Sequence, residues 1–285
     1  MGVLKRIRGF LPGNNGPTAN DELEKDGPHT GMVIVAHPDD AEFMFGGTVA
    51  KFCALGWTMY YVLATSGDKG THDEELSHQE LAAIREQEQR DACAALGVKE
   101  VIFLGHPDGF LVPDNELRGE IVRLLRQYRP DVVLTWDGFR QGFNHSDHRA
   151  IGIAVRDAIY PAVRDHLYYP GDREDGLEAH QVNEMLMGGS DDPDYRVDIS
   201  DHLETKLQAI ICHKSQIGGT PEEVRKRWTE RMRSAGGGTP MESFKRISIR
   251  RSRKQDADRK EAEKKEADQK SAESSEAQPA APAQG

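Results

Sequence analysis

The residues Met32-Val-Ile-Val-Ala36 form a short, successively apolar and β-branched run. It is broken at once by His37, Pro38, Asp39 and Asp40. Such a run reads as a strand buried on both faces, the kind found in a parallel sheet covered by helices. Pro38 removes a ladder donor, and Phe43, Val49, Phe52 and Leu55 then resume a helical spacing. An imidazole and three carboxylates (His37, Asp39, Asp40, Glu42) therefore crowd a strand-to-helix turn, at the sheet edge where open α/β folds collect their ligands. Any one of these groups alone would read as a helix cap or a satisfied turn residue. Four in six positions point to a metal site.

The same order repeats downstream. Trp57–Thr65 reads as a second strand, ending in the glycine-punctuated loop Ser66–Thr71. That loop is either a phosphate cradle or a tight turn, and it lacks both the Walker spacing and the GxGxxG fingerprint of dinucleotide sites. Ser77–Leu96 reads as a helix with Leu81, Ile84, Cys93 and Leu96 on its buried face, closed by Gly97. Val101–Leu104 reads as a third buried strand, followed by the polar turn Gly105–Gly109. Asn115–Tyr128 reads as a helix, and Asp131–Trp136 as a fourth strand. Short apolar strand, polar turn and amphipathic helix in repetition predict an α/β domain with a doubly wound, mostly parallel, Rossmann-like sheet.

After Trp136 comes a second dense cluster, Asn144-His-Ser-Asp-His-Arg149, running into a helix at Ala150–Ile159. If the sheet brings both turns together, His37, Asp40 and His148 converge as two imidazoles and one carboxylate. That set suits Zn²⁺ with one position open to water, and it also tolerates Fe²⁺. Asp39 cannot join the same ion and is expected as the general base. His145 is expected, once protonated, to stabilise an oxyanion or pass a proton to a leaving amine. Asp147 is expected to orient one of its flanking imidazoles.

Composition limits what the rest can be. The chain of 285 residues carries a net charge of −11, and its segment from Lys245 onward holds 11 Lys and Arg against 8 Asp and Glu. The preceding body is therefore near −14, which argues against a nucleic-acid partner. No apolar run reaches the roughly 20 residues of a membrane helix. Residues 1–29 read as a flexible leader, with a weak membrane-surface anchor as the alternative, and 30–249 as the catalytic domain. The 180–249 part is less regular and is expected over the pocket. Strands are expected at Val182–Met187, Tyr195–Ile199 and Phe244–Ile249, and helices at Asp201–His213 and Pro221–Arg233. Residues 250–285, charged and then Pro/Ala/Gln-rich, are expected to be disordered. Cys53, Cys93 and Cys212 form no CxxC pair and read as inert helix-packing residues of a cytoplasmic protein.

Together, Ala36-His-Pro-Asp-Asp40 and His145-Ser-Asp-His-Arg149 resemble the zinc-dependent N-deacetylases of the LmbE-like type. These act on N-acetylglucosaminyl-phosphatidylinositol and on mycothiol and bacillithiol precursors. Supporting matches are Thr65–Thr71, Ile84–Glu88, Leu96-Gly97, Pro107–Gly109 and His213–Gln216. The resemblance implies His37, Asp40 and His148 as zinc ligands, Asp39 as base and His145 as stabiliser of the tetrahedral intermediate. It further implies Arg85, Asp108 and His213 as substrate-binding residues. The chain departs from the family at Ser146, where proline is frequent, at Phe143, where some members have tyrosine, and at Asp68, where glutamate is usual. The implied activity is removal of an acetyl group from an N-acetylglucosamine-like sugar or glycoside, a small-molecule substrate, with a homo-oligomer allowed. The alternatives are an amidase acting on a thiol conjugate and a non-catalytic sugar- or metal-binding module.

Overall fold

The structure, a computed structural model, describes Leu23, residues 29–142 and residues 144–249. The expected leader apart from Leu23 and His29, Phe143 and the expected charged tail lie outside the described residues. A compact unit runs to Ile247, and the remaining unit, Ser248–Gly285, falls almost wholly beyond them.

Four strands, β1 (Thr30–Val35), β2 (Thr58–Thr65), β3 (Glu100–His106) and β4 (Val132–Trp136), alternate with α1 (Asp40–Ala54), α2 (His78–Leu96) and α3 (Asn115–Tyr128). Then follow α4 (Ser146–Ile159), the one-turn α5 (Gly171–Glu174), β5 (Glu184–Gly188), β6 (Tyr195–Asp198), α6 (Leu203–Cys212), α7 (Pro221–Ala235) and β7 (Met241–Ser248). The seven strands make one sheet in the order β3-β2-β1-β4-β5-β7-β6. All pairs from β3 to β5 are parallel, and β7 is antiparallel to β6. Strand order reverses between β1 and β4, so their carboxyl ends flank the switch point where such folds bind ligands.

Met32 to Val35 are fully buried. Because successive strand residues point to opposite faces, both faces must be covered. Helices α1, α2 and α6 pack together as one layer, and α3 and α4 as the other. Local chemistry sets the helix ends. Ser77 and Glu80 form a capping box on α2, Thr220 and Glu223 form another on α7, and Gly97 ends α2 in a left-handed turn. Arg126, buried on α3, organises the irregular stretch after α4 by donating to the carbonyls of Ala162, Asp165, Tyr168 and Tyr169 and pairing with Asp172 at 2.8 Å.

Two expectations of burial are corrected. β3 is half-exposed along Val101–Leu104, because it is the edge strand of the sheet. Ile84 is 42% exposed; the inward stripe of α2 instead carries Leu81, Arg85, Glu88, Gln89, Ala92, Cys93 and Leu96. The C-terminal portion adds its strands to the same sheet. The turn after α6 reaches the rim of the site, where Gln216 Nε2 donates to the Gly70 carbonyl at 3.0 Å.

One tertiary contact enters the middle of α1. Glu242 on β7 accepts from the Gly47 and Thr48 amides at 2.9 and 2.8 Å, while Lys206 on α6 donates to the Phe43 carbonyl at 2.9 Å and to Glu242 at 2.5 Å. A Cβ on Gly47 would lie 2.6 Å from Ile199 Cδ1, so this stretch of α1 needs glycine for the close approach.

Candidate active site

The turn after β1 and the start of α4 meet at the switch point. His37 Nδ1 lies 3.3 Å from His148 Nε2 and 3.4 Å from Asp40 Oδ2, and His148 Nε2 lies 3.0 Å from Asp40 Oδ1. Donors around a tetrahedral ion with bonds of 2.0–2.1 Å stand about 3.3 Å apart, so this triangle fits a cation of zinc size. Trp136, the last residue of β4, stacks on His148 with centroids 4.1 Å apart and planes 7° apart, fixing that ring.

The charges suit a cation as well as the distances do. Burial disfavours the His37 imidazolium, yet Asp108, Asp147 and Asp40 surround the ring and lift its pKa to about 11. Burial would likewise raise the Asp40 carboxyl, but His148 and His37 hold it well below the usual range. Positive charge is therefore strongly favoured at this point, and neutral imidazoles beside ionised carboxylates would hold a divalent ion. Asp108 lies 3.1 Å from His37 Nε2 and also accepts from the Lys69 amide at 3.0 Å. Burial opposes its ionisation, but the contacts with His37 prevail and its pKa falls to about 2.

α4 begins earlier than the apolar spacing indicated, at Ser146, and His145 is its N-cap. The His145 Nδ1 accepts from the Asp147 amide at 3.2 Å. Burial and the charges of His37 and His148 lower the His145 pKa. With Nδ1 accepting from the Asp147 amide, Nε2 is the ring atom free to carry a proton into the site. The His145 and His37 rings meet edge to face, 4.7 Å between centroids. The Asp147 carboxylate turns to neither flanking imidazole, since neighbouring helical residues diverge. It is fully buried and accepts from Gly109 N at 2.7 Å and Leu111 N at 3.2 Å. Its Oδ2 lies 3.2 Å from His37 Nε2, so it orients the imidazole across the cleft.

Asp39 sits beside this triangle in an unusual conformation. Its φ is 93° with ψ −30°, a left-handed geometry that costs a non-glycine residue on the order of 1–3 kcal/mol. Burial and the nearby Asp40 charge raise its pKa to about 7 against the opposing pull of Arg85. Arg85 is itself buried. It donates to Pro38 O at 2.6 Å, to Gly67 O at 2.8 Å and to Asp39 Oδ2 at 3.2 Å. The Ser66–Thr71 loop is therefore a turn that wraps Arg85. A Cβ on Gly67, whose φ is 64°, would fall 2.3 Å from Arg85 Nη1. His213 is fully buried and contacts Glu42 at 3.0 Å, which places it behind the cleft wall.

Gln89 and the Glu42 contact with His213 are not evident from the sequence. The usable signal was in Arg85, Glu88 and Gln89, at i, i+3 and i+4 on one face of α2. Polar spacing of that kind marks a buried face when it is continuous with Leu81 and Cys93.

Residues 32–159 match the family model described as PIG-L, GlcNAc-PI de-N-acetylase. The diacetylchitobiose deacetylase of Thermococcus kodakarensis is 36% identical over 203 residues, covering 71% of this chain and 74% of that protein. The 1D-myo-inositol 2-acetamido-2-deoxy-alpha-D-glucopyranoside deacetylase of Actinosynnema mirum is 29% identical, covering 65% of this chain and 80% of that one. Among solved structures, the N,N'-diacetylchitobiose deacetylase from Pyrococcus horikoshii superposes with a TM-score of 0.71 at 30% identity, over 77% of this chain and 84% of that one.

Proposed function

The chain belongs to the GlcNAc-PI de-N-acetylase family, and from that membership we propose that it is a metal-dependent N-deacetylase of an N-acetylglucosamine-like sugar or glycoside. The observation that carries the reading is the His37, His148 and Asp40 triangle with Asp39 alongside at a pKa of about 7. His37, Asp40 and His148 would hold the ion, Zn²⁺ by preference and Fe²⁺ as the alternative. When bound, such an ion supplies a Lewis acid that polarises a carbonyl and lowers the pKa of water to about 7.

Asp39 takes the proton from the water that adds to the amide carbon, and the carboxyl so formed can return it to the departing amine. His145 donates its Nε2 hydrogen to the oxygen that gains charge as the carbon becomes tetrahedral. Asp147 and Asp108 keep the His37 proton on Nε2, leaving Nδ1 as the donor atom toward the ion. The C–N bond then breaks to give acetate and a free amino sugar. Arg85 is proposed to set the carboxylate of Asp39 toward the substrate, and Asp108 to stand nearest the sugar.

Metal analysis of the purified protein, paired with amine release from a panel, tests this. The panel comprises N-acetylglucosamine, N,N'-diacetylchitobiose, an N-acetylglucosaminyl inositol and an acylated cysteine conjugate. Asp39→Asn should keep its metal and lose about 10²–10⁴-fold in turnover. His37→Ala or His148→Ala should lose the metal itself. Full activity of Asp39→Asn would sink the mechanism; a panel turned over only at the cysteine conjugate would sink the substrate class.

A further inference from the structure

Asp39 is held by more than its own turn. The peptide linking Pro38 to Asp39 is gripped at both ends by one helix. Arg85 donates to its carbonyl at 2.6 Å, and Gln89, one turn further along α2, accepts from its amide at 3.1 Å. Gln89 has no freedom in how it does so. Its oxygen must face the amide, so its Nε2 points away and donates to Glu42 Oε1 at 2.9 Å. The second oxygen of Glu42 lies 3.0 Å from His213 Nε2. Gln89, Glu42 and His213 are all fully buried, so each would be left unsatisfied if a neighbour in the chain were lost.

We propose that Gln89, Glu42 and His213 are positioning residues that hold the Pro38–Asp39 peptide plane, and with it the base, in the left-handed turn. The proposal rests on the reading of Asp39 as base. An aspartate in this turn relaxes toward negative φ unless something opposes it, and such a change would swing the carboxylate away from the His37, Asp40 and His148 triangle. A flip of the peptide would bring its amide to face the Arg85 guanidinium and its carbonyl to face the Gln89 oxygen, two repulsive contacts. The role of the His213–Gln216 stretch follows from the same geometry. His213 fixes α1 through Glu42, while Ser215 fixes α2 through Glu88 with bonds of 2.8 Å from its amide and 2.6 Å from its hydroxyl. The two helices that carry and clamp the base are fastened by one turn of the chain.

The test uses the full-length metal-loaded protein and the member of the panel it turns over fastest. In Gln89→Ala, kcat should fall about 10²-fold, as expected for loss of near-attack geometry. KM should stay within about twofold and metal content should be unchanged. The Asp39 amide should exchange its hydrogen at least about tenfold faster than in the parent protein. In the Asp39→Asn background, Gln89→Ala should cost nothing further, because it acts only through that residue. His213→Ala should behave as Gln89→Ala does, and His213→Gln, which restores an N–H toward Glu42, should recover most of kcat. That pair also reads the chain if Gln89→Ala does not fold. An Asp39→Asn protein without activity beside a Gln89→Ala protein of full activity overturns the positioning chain and leaves the base standing. Losses that multiply in the double variant overturn it too. An Asp39→Asn protein of full activity overturns the base, whereas the exchange rate of the Asp39 amide reports on the clamp whatever the activity.

Discussion

Lys206 to Met is the most informative perturbation of the scaffold. The Lys206 side chain is fully buried and that of Glu242 is 2% exposed, with 2.5 Å between their charged atoms. Removing one member of a buried pair strands the other and costs about 3–5 kcal/mol. The residue left behind sets the order among variants. After Lys206→Met, Glu242 keeps the Gly47 and Thr48 amides and the Thr48 hydroxyl at 2.5 Å, and the Phe43 carbonyl loses one donor. After Glu242→Ala, two amides and a hydroxyl lose this acceptor, and the Lys206 ammonium is left with the Phe43 carbonyl and no counter-charge. Glu242→Ala should therefore be the most damaging, Lys206→Met intermediate, and the double variant Lys206→Met with Glu242→Gln less harmful than the sum of its parts. For a domain of this size each kcal/mol moves Tm by roughly 2–4 °C, so Lys206→Met should melt about 6–20 °C lower. Thermal and urea melts monitored by circular dichroism read this directly. A Lys206→Met protein that melts within about 2 °C of the parent would refute the reasoning, since a shift that small corresponds to at most about 1 kcal/mol.

Other outcomes follow from the same geometry. His213 is raised above its ordinary pKa, with burial opposing and Glu42 prevailing. Its stabilising contribution is complete below pH 6.5 and disappears as pH climbs through the folded value, so the Tm gap between the parent and His213→Gln should be widest at pH 6 and shrink as pH rises; a constant gap would count against it. Burial raises the thiols of Cys53, to about 11, and of Cys93 and Cys212, so at pH 8 an aromatic disulfide reagent should label them slowly in the native protein and fully in denaturant. Gly152→Ala would place a Cβ 2.4 Å from the Trp136 carbonyl and 2.6 Å from the Gly138 amide, forcing α4 off the end of β4. Such overpacking costs about 1–3 kcal/mol, and the displaced His148 should weaken metal retention in a chelator competition.

Much of the parallel half of the sheet was legible, because its signals are local. Met32–Val35 is apolar on both faces, and α3 spans Asn115–Tyr128 as its spacing predicts. That His37, Asp40 and His148 meet follows from strand order, since β1 and β4 are adjacent and both turns lie at their carboxyl ends. What escaped depends on distant partners. Nothing in Val101–Leu104 says that β3 lies at an edge, and Ile84 fits an apolar stripe until Arg85 and Gln89 are known to be inside. Asp147 lies within two positions of two histidines and contacts a third, 110 positions away. Nothing local marks Glu242 and Lys206 as buried, because each is accommodated only once the other is in place.

β7, the last strand among the described residues, is inserted between β5 and β6 and carries the carboxylate that binds the middle of α1. The helix that opens with Asp39 and Asp40 is thus completed by residues made some two hundred positions later. Cleavage before Met241 should therefore loosen α1, and with it the turn that carries His37, Asp39 and Asp40.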